Sequence, residues 1–144
     1  MATVGLDEIR EQLCRKWKLD RSENFDEFLK ELGLNVVFRK MASAATPTIQ
    51  LNMEGDMVNI VSKVAFFNHV IKIKVGGEVE QTFEGLKMKC TSRWEDGTLI
   101  TEAIPCDDGR GKPQTFHRQL VDGELVQTMF VGDVKCVRIF KPVE

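Results

Sequence analysis

From about residue 55 to the C-terminus, apolar and polar side chains alternate with a period of two. In one such run, Ile71 and Ile73 alternate with Lys72 and Lys74, which is typical of a strand with one wet and one drier face. Turn signals rich in Gly, Asp and Glu separate the runs at residues 54–56, 76–77, 84–85, 96–97, 107–109, 122–123 and 132–133. The pattern predicts an all-β, antiparallel up-and-down meander. Such a meander removes its edges by closing into a β-barrel, which can enclose one ligand.

A different pattern precedes the meander, because four apolar residues there follow helical spacing. They are Phe25, Phe28, Leu29 and Leu32. Asn24 and Glu27 have the spacing of a capping box, and Gly33 suits the left-handed residue that ends a helix. The segment therefore predicts a short amphipathic helix.

A second short helix is predicted from Asn35 to about Ala44, since Pro47 disfavours its continuation. The two helices form a helix-turn-helix over residues 24–44, between a first strand and the meander. We call this segment the lid, and we expect its apolar side chains to cover the barrel opening. These side chains include Phe28, Leu29, Val37 and Met41.

Residues 1–14 form an N-terminal extension whose structure is less clear from the sequence. Leu6, Ile9 and Leu13 have helical spacing, but only about two turns of chain are available to use it. We expect either an additional helix or a frayed arm.

Strand parity places two arginines among apolar residues. Arg138 shares one strand face with Cys136 and Phe140. Arg118 shares a face with Phe116 in the same way. A guanidinium inside a barrel needs a partner, and a planar carboxylate from a ligand matches its geometry best. Parity does not say which face is inside, so the alternative that both arginines lie outside or pair with an internal Asp or Glu stays open.

Composition narrows the function classes. The 144 residues are 42% apolar and 29% charged with a formal net charge of −2, which predicts one globular domain over residues 1–144 and disfavours nucleic-acid binding. The N-terminus lacks the apolar core of a signal peptide, and no stretch approaches 18 apolar residues, so we expect a soluble, cytoplasmic protein.

Candidate catalytic and metal-binding motifs are weak. His69 and His117 have no Asp, Glu or Cys at metal-ligand spacing, and no serine lies in a GxSxG elbow. The four cysteines form no CxxC motif and are expected to be reduced and partly buried. We therefore expect no enzyme activity, no metal and no cofactor.

Several segments carry a resemblance to a known family. They include residues 17–19 (WKL), 22–26 (SENFD), 39–40 (RK), 115–123 (TFHRQLVDG) and 136–140 (CVRIF). Over roughly residues 15 to 143 the chain resembles the intracellular fatty-acid-binding proteins, a group of the calycin type. The resemblance implies a ten-stranded, slightly flattened antiparallel barrel capped by a helical hairpin, with a fatty acid held inside by its carboxylate.

The resemblance also implies site residues. Two arginines and a tyrosine bind the carboxylate in that family, and these positions fall on Arg138, Arg118 and Phe140, so this chain lacks the tyrosine hydroxyl. The family's portal aromatic falls on Phe66. Phe25 and Phe28 of the lid complete the predicted ligand-binding set.

The sequence thus predicts a noncatalytic, monomeric carrier of a long-chain fatty acid or related acidic lipid, which it delivers to membranes, enzymes or a nuclear receptor. The alternative is a lipid-switched signalling module that enters the nucleus. Lys30, Arg39 and Lys40 match a basic cluster used for nuclear import in some members of the family. The same cluster is compatible with membrane contact or with an ordinary solvated helix face.

Overall fold

The computed structural model of the protein describes residues 5–64, 67–83, 86–106 and 111–143. Within these residues the chain forms three helices and ten strands. The helices are α1 (Leu6–Leu13), α2 (Phe25–Glu31) and α3 (Val36–Ala44). The strands are β1 (Lys16–Glu23), β2 (Thr48–Glu54), β3 (Met57–Val64), β4 (Phe67–Lys74), β5 (Gly77–Phe83), β6 (Leu86–Glu95), β7 (Thr98–Pro105), β8 (Gln114–Val121), β9 (Glu124–Val131) and β10 (Val134–Pro142).

The strands form one antiparallel sheet in the order β4-β3-β2-β1-β10-β9-β8-β7-β6-β5. Because β1 pairs with β10, the first and last strands join and the sheet curls into a nearly closed barrel. No backbone ladder joins β4 to β5 in the described residues, but the side chain of Gln81 donates a hydrogen bond to the carbonyl of Lys72 across this gap. The predicted ten-stranded up-and-down barrel is confirmed.

Two of the tightest hairpins follow from Asp-Gly pairs. Asp96 and Gly97 join β6 to β7, and Asp122 and Gly123 join β8 to β9. All four residues have positive φ, between 49° and 81°. Two consecutive left-handed residues make the turn that matches the right-handed twist of the flanking strands. These turns fix the pairing register of the strands that they join, and in this register the side chain of Arg118 points to the inside of the barrel.

The lid is a helical hairpin, as predicted. Gly33 ends α2 with φ of 90°, and the amides of Gly33 and Leu34 donate to the carbonyls of Lys30 and Leu29 at 2.9 and 3.2 Å. This pair of hydrogen bonds is a Schellman motif, which satisfies carbonyls at the helix end. Asn35 then caps α3, because its side-chain oxygen accepts from the amide of Phe38 at 2.9 Å.

The predicted capping box at the start of α2 is wrong. Asn24 has a left-handed backbone with φ of 64° and makes no side-chain cap. Its amide group instead donates to the carbonyl of Lys135, at the start of β10, at 3.0 Å. A tertiary hydrogen bond has therefore replaced the local one, and it ties the beginning of the lid to the barrel.

The face that α3 turns inward also differs from the expectation. Val37 is 65% exposed, whereas Phe38 and Ala42 line the interior. Since α3 begins with three consecutive bulky apolar residues, its periodicity alone does not choose between neighbouring stripes. The cap at Asn35 sets the helix start and thereby brings Phe38 to the inside.

The described part of the N-terminal extension contains helix α1, which packs on the barrel end where β1 begins, away from the lid. Ile9 and Leu13 are fully buried in a cluster that includes Trp17. The indole nitrogen of Trp17 donates to the carbonyl of Leu13 at 2.9 Å, and that of Trp94 donates to Glu8 at 2.8 Å. Of the two expectations for the extension, the helix is therefore confirmed for Leu6–Leu13, and this helix closes the core; residues 1–4 lie outside the described residues.

This packing predicts that Leu13→Ala lowers the free energy of unfolding by about 2–5 kcal/mol, the usual cost of truncating a fully buried leucine. Urea denaturation followed by far-UV circular dichroism measures the loss. Leu120→Ala is the matched control, because Leu120 is 38% exposed and its truncation should cost less than about 1 kcal/mol. Equal, small losses in both variants would contradict the packing of α1 on the barrel.

Candidate functional site

The barrel and lid enclose a cavity of about 620 Å³, which lies within the usual size range of small-molecule sites. Its wall combines side chains from α2, α3, β2, β3, β4, β8, β9 and β10. Most of these side chains are apolar. They include Phe25, Leu29, Phe38, Met41, Ile49, Ile60, Val64, Ile71, Phe116, Met129 and Phe140. Five polar side chains interrupt this wall, namely Arg118, Arg138, Gln127, Ser62 and His69.

Arg138 projects inward from β10 and is only 9% exposed. Its Nε donates to the hydroxyl of Ser22 at 3.0 Å, and Ser22 is its cross-strand partner on β1. Its Cζ lies 3.7 Å from the centre of the Phe25 ring on the lid, which is a close cation–π contact. Strand pairing and the lid thus hold this guanidinium at the cavity wall from two sides.

Arg118 projects inward from β8 and is 5% exposed. Its Nε donates to Oε1 of Gln127, its cross-strand partner on β9, at 2.9 Å. The amide nitrogen of Gln127 in turn contacts the sulfur of Met129 at 3.3 Å, so the amide orientation is fixed. The Cζ of Arg118 lies 5.5 Å from the centre of the Phe116 ring.

Neither arginine forms an ion pair with an Asp or Glu within the described part of the chain. Burial lowers the pKa of Arg118 and of Arg138 to about 10 each, because desolvation disfavours the charged form. Both groups remain protonated at neutral pH. The cavity therefore contains two positive charges that the described protein groups do not neutralise. The alternative that each arginine pairs with an internal Asp or Glu is not observed among the described residues.

The terminal nitrogens of both arginines remain available to a ligand. The recorded hydrogen bonds of these side chains use Nε alone. Among the described residues, no guanidinium nitrogen is both fully buried and without a hydrogen-bond partner; the side-chain atom in that state is Oδ1 of Asn59. The terminal nitrogens therefore retain contact with the cavity, where a planar carboxylate can accept hydrogen bonds from them.

The other predicted site residues fall in different places. Phe140 and Phe25 both line the cavity, next to Arg138. Phe28 does not line it: the ring is 3% exposed and packs with Met129, Val131 and Cys136 beneath the lid. Phe25 and Leu29, four residues apart, share the stripe of α2 that faces the cavity, so Phe28 points to the adjoining strands instead. Phe66 lies outside the described residues.

Two residues that hold the arginines were missed by the sequence analysis. Gln127 could have been found by parity, because Leu125 and Met129, two residues away on either side, are buried on the inner face of β9. Ser22 carried no comparable signal, since it lies among charged residues at the end of β1. Its role depends on the β1–β10 register, which sequence periodicity does not supply.

The basic cluster of the lid is not three equivalent surface charges. Arg39 donates to Asp26 at 3.1 Å and to the carbonyl of Leu34 at 2.8 Å, so it links α3 to α2. Lys30 and Lys40 are exposed. Nuclear import or membrane contact through this cluster stays a prediction.

The four cysteines are free thiols, as expected. Cys90 and Cys136 are buried, and burial raises the pKa of Cys136 to about 11, which disfavours the reactive thiolate. Cys106 is exposed, unlike the partly buried thiols that we expected. Among the described residues there is also no group of three His, Cys, Asp or Glu side chains placed to hold a metal ion, and no helix long and apolar enough to span a membrane.

Comparisons with known proteins agree with this geometry. Residues 15–143 match the family described as "Lipocalin / cytosolic fatty-acid binding protein family". Cellular retinoic acid-binding protein 2 of Homo sapiens is 39% identical over 128 residues, which cover 86% of this chain and 93% of that protein. Fatty acid-binding protein 12 of Mus musculus is 35% identical over 134 residues, with coverages of 92% and 98%.

A solved structure shows the same architecture. The crystal structure of apo lipid binding protein 8 of Caenorhabditis elegans superposes with a TM-score of 0.87 at 28% identity, covering 99% of this chain and all of that one. The chain therefore belongs to the lipocalin and cytosolic fatty-acid binding protein family, a family of lipid-binding carriers.

Proposed function

We propose that the protein carries a long-chain fatty acid, or a closely related lipid carboxylate, with its carboxylate at Arg138 and Arg118 and its tail along the apolar wall. One observation carries the proposal: two buried guanidinium groups face an apolar cavity without an acidic partner in the described chain. A bound carboxylate would neutralise this charge. The names of the two relatives, one a fatty acid-binding and one a retinoic acid-binding protein, are both those of carboxylate binders.

The two parts of such a ligand contribute differently. Each methylene buried against the apolar wall contributes about 0.8 kcal/mol, less the cost of ordering the chain. A hydrogen bond to a charged group contributes about 1.5–3 kcal/mol. The tail therefore supplies most of the affinity, and the arginines supply orientation and selectivity for an acid.

The two arginines should not contribute equally. Arg118 borders both the main cavity and a second void of about 30 Å³, which it shares with Cys90 and Thr101. This volume is enough for one or two water molecules, and the hydroxyl of Thr101 is a polar partner for them. We propose direct contact of the ligand carboxylate with Arg138 and water-assisted contact with Arg118.

The cellular role that we propose is transport of the lipid in the cytoplasm by a monomeric carrier that has no catalytic activity. Delivery to membranes, enzymes or a nuclear receptor belongs to the same proposal. Exposed Lys30 and Lys40 on the lid support contact with anionic surfaces, because basic residues on a surface helix are attracted to anionic lipid.

The main test compares an acid with its alcohol. Arg138→Ala should weaken binding of octadecanoic acid by about 1.5–3 kcal/mol and leave octadecanol nearly unchanged, because only the acid loses a charge-assisted hydrogen bond. Isothermal titration calorimetry measures both ligands. Arg118→Ala should produce a smaller loss of the same sign.

Arg93→Ala is the matched control, because Arg93 lies on β6 with its guanidinium paired to Glu95 outside the cavity. This variant should bind both ligands as the unchanged protein does. Equal losses for the acid and the alcohol in Arg138→Ala would show that Arg138 does not recognise the carboxylate.

A second test restores the missing hydroxyl. Phe140→Tyr places a donor beside Arg138, and we expect it to tighten octadecanoic acid binding by about 0.5–1.5 kcal/mol, the net value of one hydrogen bond. Phe130→Tyr, on the opposite face of the neighbouring strand, should have no effect on affinity. An unaltered affinity in a correctly folded Phe140→Tyr variant would place the head group elsewhere.

A further inference from the structure

The two cavity arginines and Gln127 lie side by side on the inner face of the barrel. Gln127 on β9 is the cross-strand partner both of Arg138 on β10 and of Arg118 on β8. Two strand spacings therefore separate the arginines, so their Cα atoms are about 10 Å apart. The two positive charges start from well-separated points of the cavity wall.

The guanidinium groups keep this separation because both side chains lean in the same direction. Nε of Arg138 donates to the hydroxyl of Ser22 on β1, and Nε of Arg118 donates to Gln127 on β9. In the strand order β1-β10-β9-β8, each arginine thus reaches one strand towards β1. The cavity therefore has two cationic positions, each with its own anchor on a neighbouring strand.

One carboxylate does not neutralise both positions. A carboxylate that pairs bidentately with the guanidinium of Arg138 uses both of its oxygen atoms there. Among the described residues that line the cavity, none is an Asp or Glu. Arg118 would therefore remain a buried charge without an anionic partner, which is costly. The water-assisted contact proposed above hydrates Arg118 but does not neutralise its charge.

The space beside Arg118 has room for a ligand atom. The void of about 30 Å³ adjoins the main cavity here, since Ile71, Phe116 and Arg118 line both. That volume is enough for one or two water molecules. An oxygen atom of the ligand itself can therefore take the place of the water that would link a monocarboxylate to Arg118.

We propose that the ligand is a lipid with two acidic groups at its head end, one paired with Arg138 and the other with Arg118. This inference rests on the proposed function, because it takes the carboxylate at Arg138 as the first point of attachment. The second acidic group replaces water at Arg118 and neutralises the second charge. Because the two guanidinium groups are held apart, the acidic groups are separate, as are two carboxylates joined by a short carbon chain.

The test uses the full chain and two ligands that differ by one charge. N-octadecanoylglutamate has two carboxylates, whereas N-octadecanoylglutamine has an amide of nearly the same shape in place of one of them. Each ligand competes with a fluorescent fatty acid for the cavity at neutral pH. The glutamate conjugate should bind at least about tenfold more tightly than the glutamine conjugate, as one charge-assisted hydrogen bond gives.

A variant assigns the preference to Arg118. Arg118→Gln should reduce the ratio of the two affinities to less than about twofold, because the second charge is gone, while octadecanoic acid still binds through Arg138. Arg93→Gln is the matched control, because the Arg93 guanidinium pairs with Glu95 outside the cavity, and it should preserve the ratio. Circular dichroism of each variant verifies the fold, and the comparison on the unchanged protein tests the proposal without any variant.

The outcomes separate the two proposals. If both conjugates bind equally to the unchanged protein, the second acidic group is refuted, and the proposed carrier function stands when Arg138→Ala still weakens octadecanoic acid selectively. If the preference survives in Arg118→Gln, the second group is bound elsewhere and its assignment is refuted. If octadecanoic acid displaces the fluorescent fatty acid but neither conjugate does, the inference alone is refuted. If none of the three acids displaces it, both proposals are refuted.

Discussion

Two buried guanidinium groups in an apolar barrel are the constraint on which the rest of the structure depends. Moving an unpaired charge from water into such an interior is costly, so each arginine must be held by neighbours that offset part of the cost. Arg138 has the hydroxyl of Ser22 and the ring of Phe25, and Arg118 has the amide oxygen of Gln127. These contacts orient the charges without neutralising them. The barrel therefore retains a positive potential inside a wall that otherwise suits hydrocarbon.

Much of the fold was predictable because it follows from local rules. Period-two alternation predicted the strands, Asp-Gly pairs predicted tight hairpins such as the one at Asp96 and Gly97, and Gly33 predicted the end of α2. Parity also placed Arg118 and Arg138 on one face with apolar companions. It did not say that this face is inside. That step depended on the resemblance of the chain to a known family, and the burial of both arginines at the cavity wall confirmed it.

The features that the sequence did not predict are decided by tertiary contacts. The Asn24 side chain is of a type that often caps a helix N-terminus, yet it donates a hydrogen bond to the carbonyl of Lys135 on β10 instead. Arg39 is a residue type that usually lies on the solvated face of a helix, yet it donates hydrogen bonds to Asp26 and to the carbonyl of Leu34 within the lid. The pairing of Ser62 with His69 was not predicted for the same reason, because a serine and a histidine seven residues apart become neighbours only when the hairpin register is known. Secondary-structure propensity is a property of one segment, whereas these contacts form between two segments that meet only in the folded protein.

The lid and the proposed head-group site meet at one contact, so the position of the lid affects the space around Arg138. The ring of Phe25 lies on the guanidinium of Arg138, while Leu29, one turn later on α2, faces the apolar part of the cavity. At the other end of α2, Glu31 pairs with Lys112 in the segment between β7 and β8. The helix is thus fastened to the barrel by electrostatic contacts at both ends and by apolar packing between them. A carboxylate that approaches Arg138 must do so beside Phe25, so the ring that covers the charge also shapes the space in which an acid can bind it.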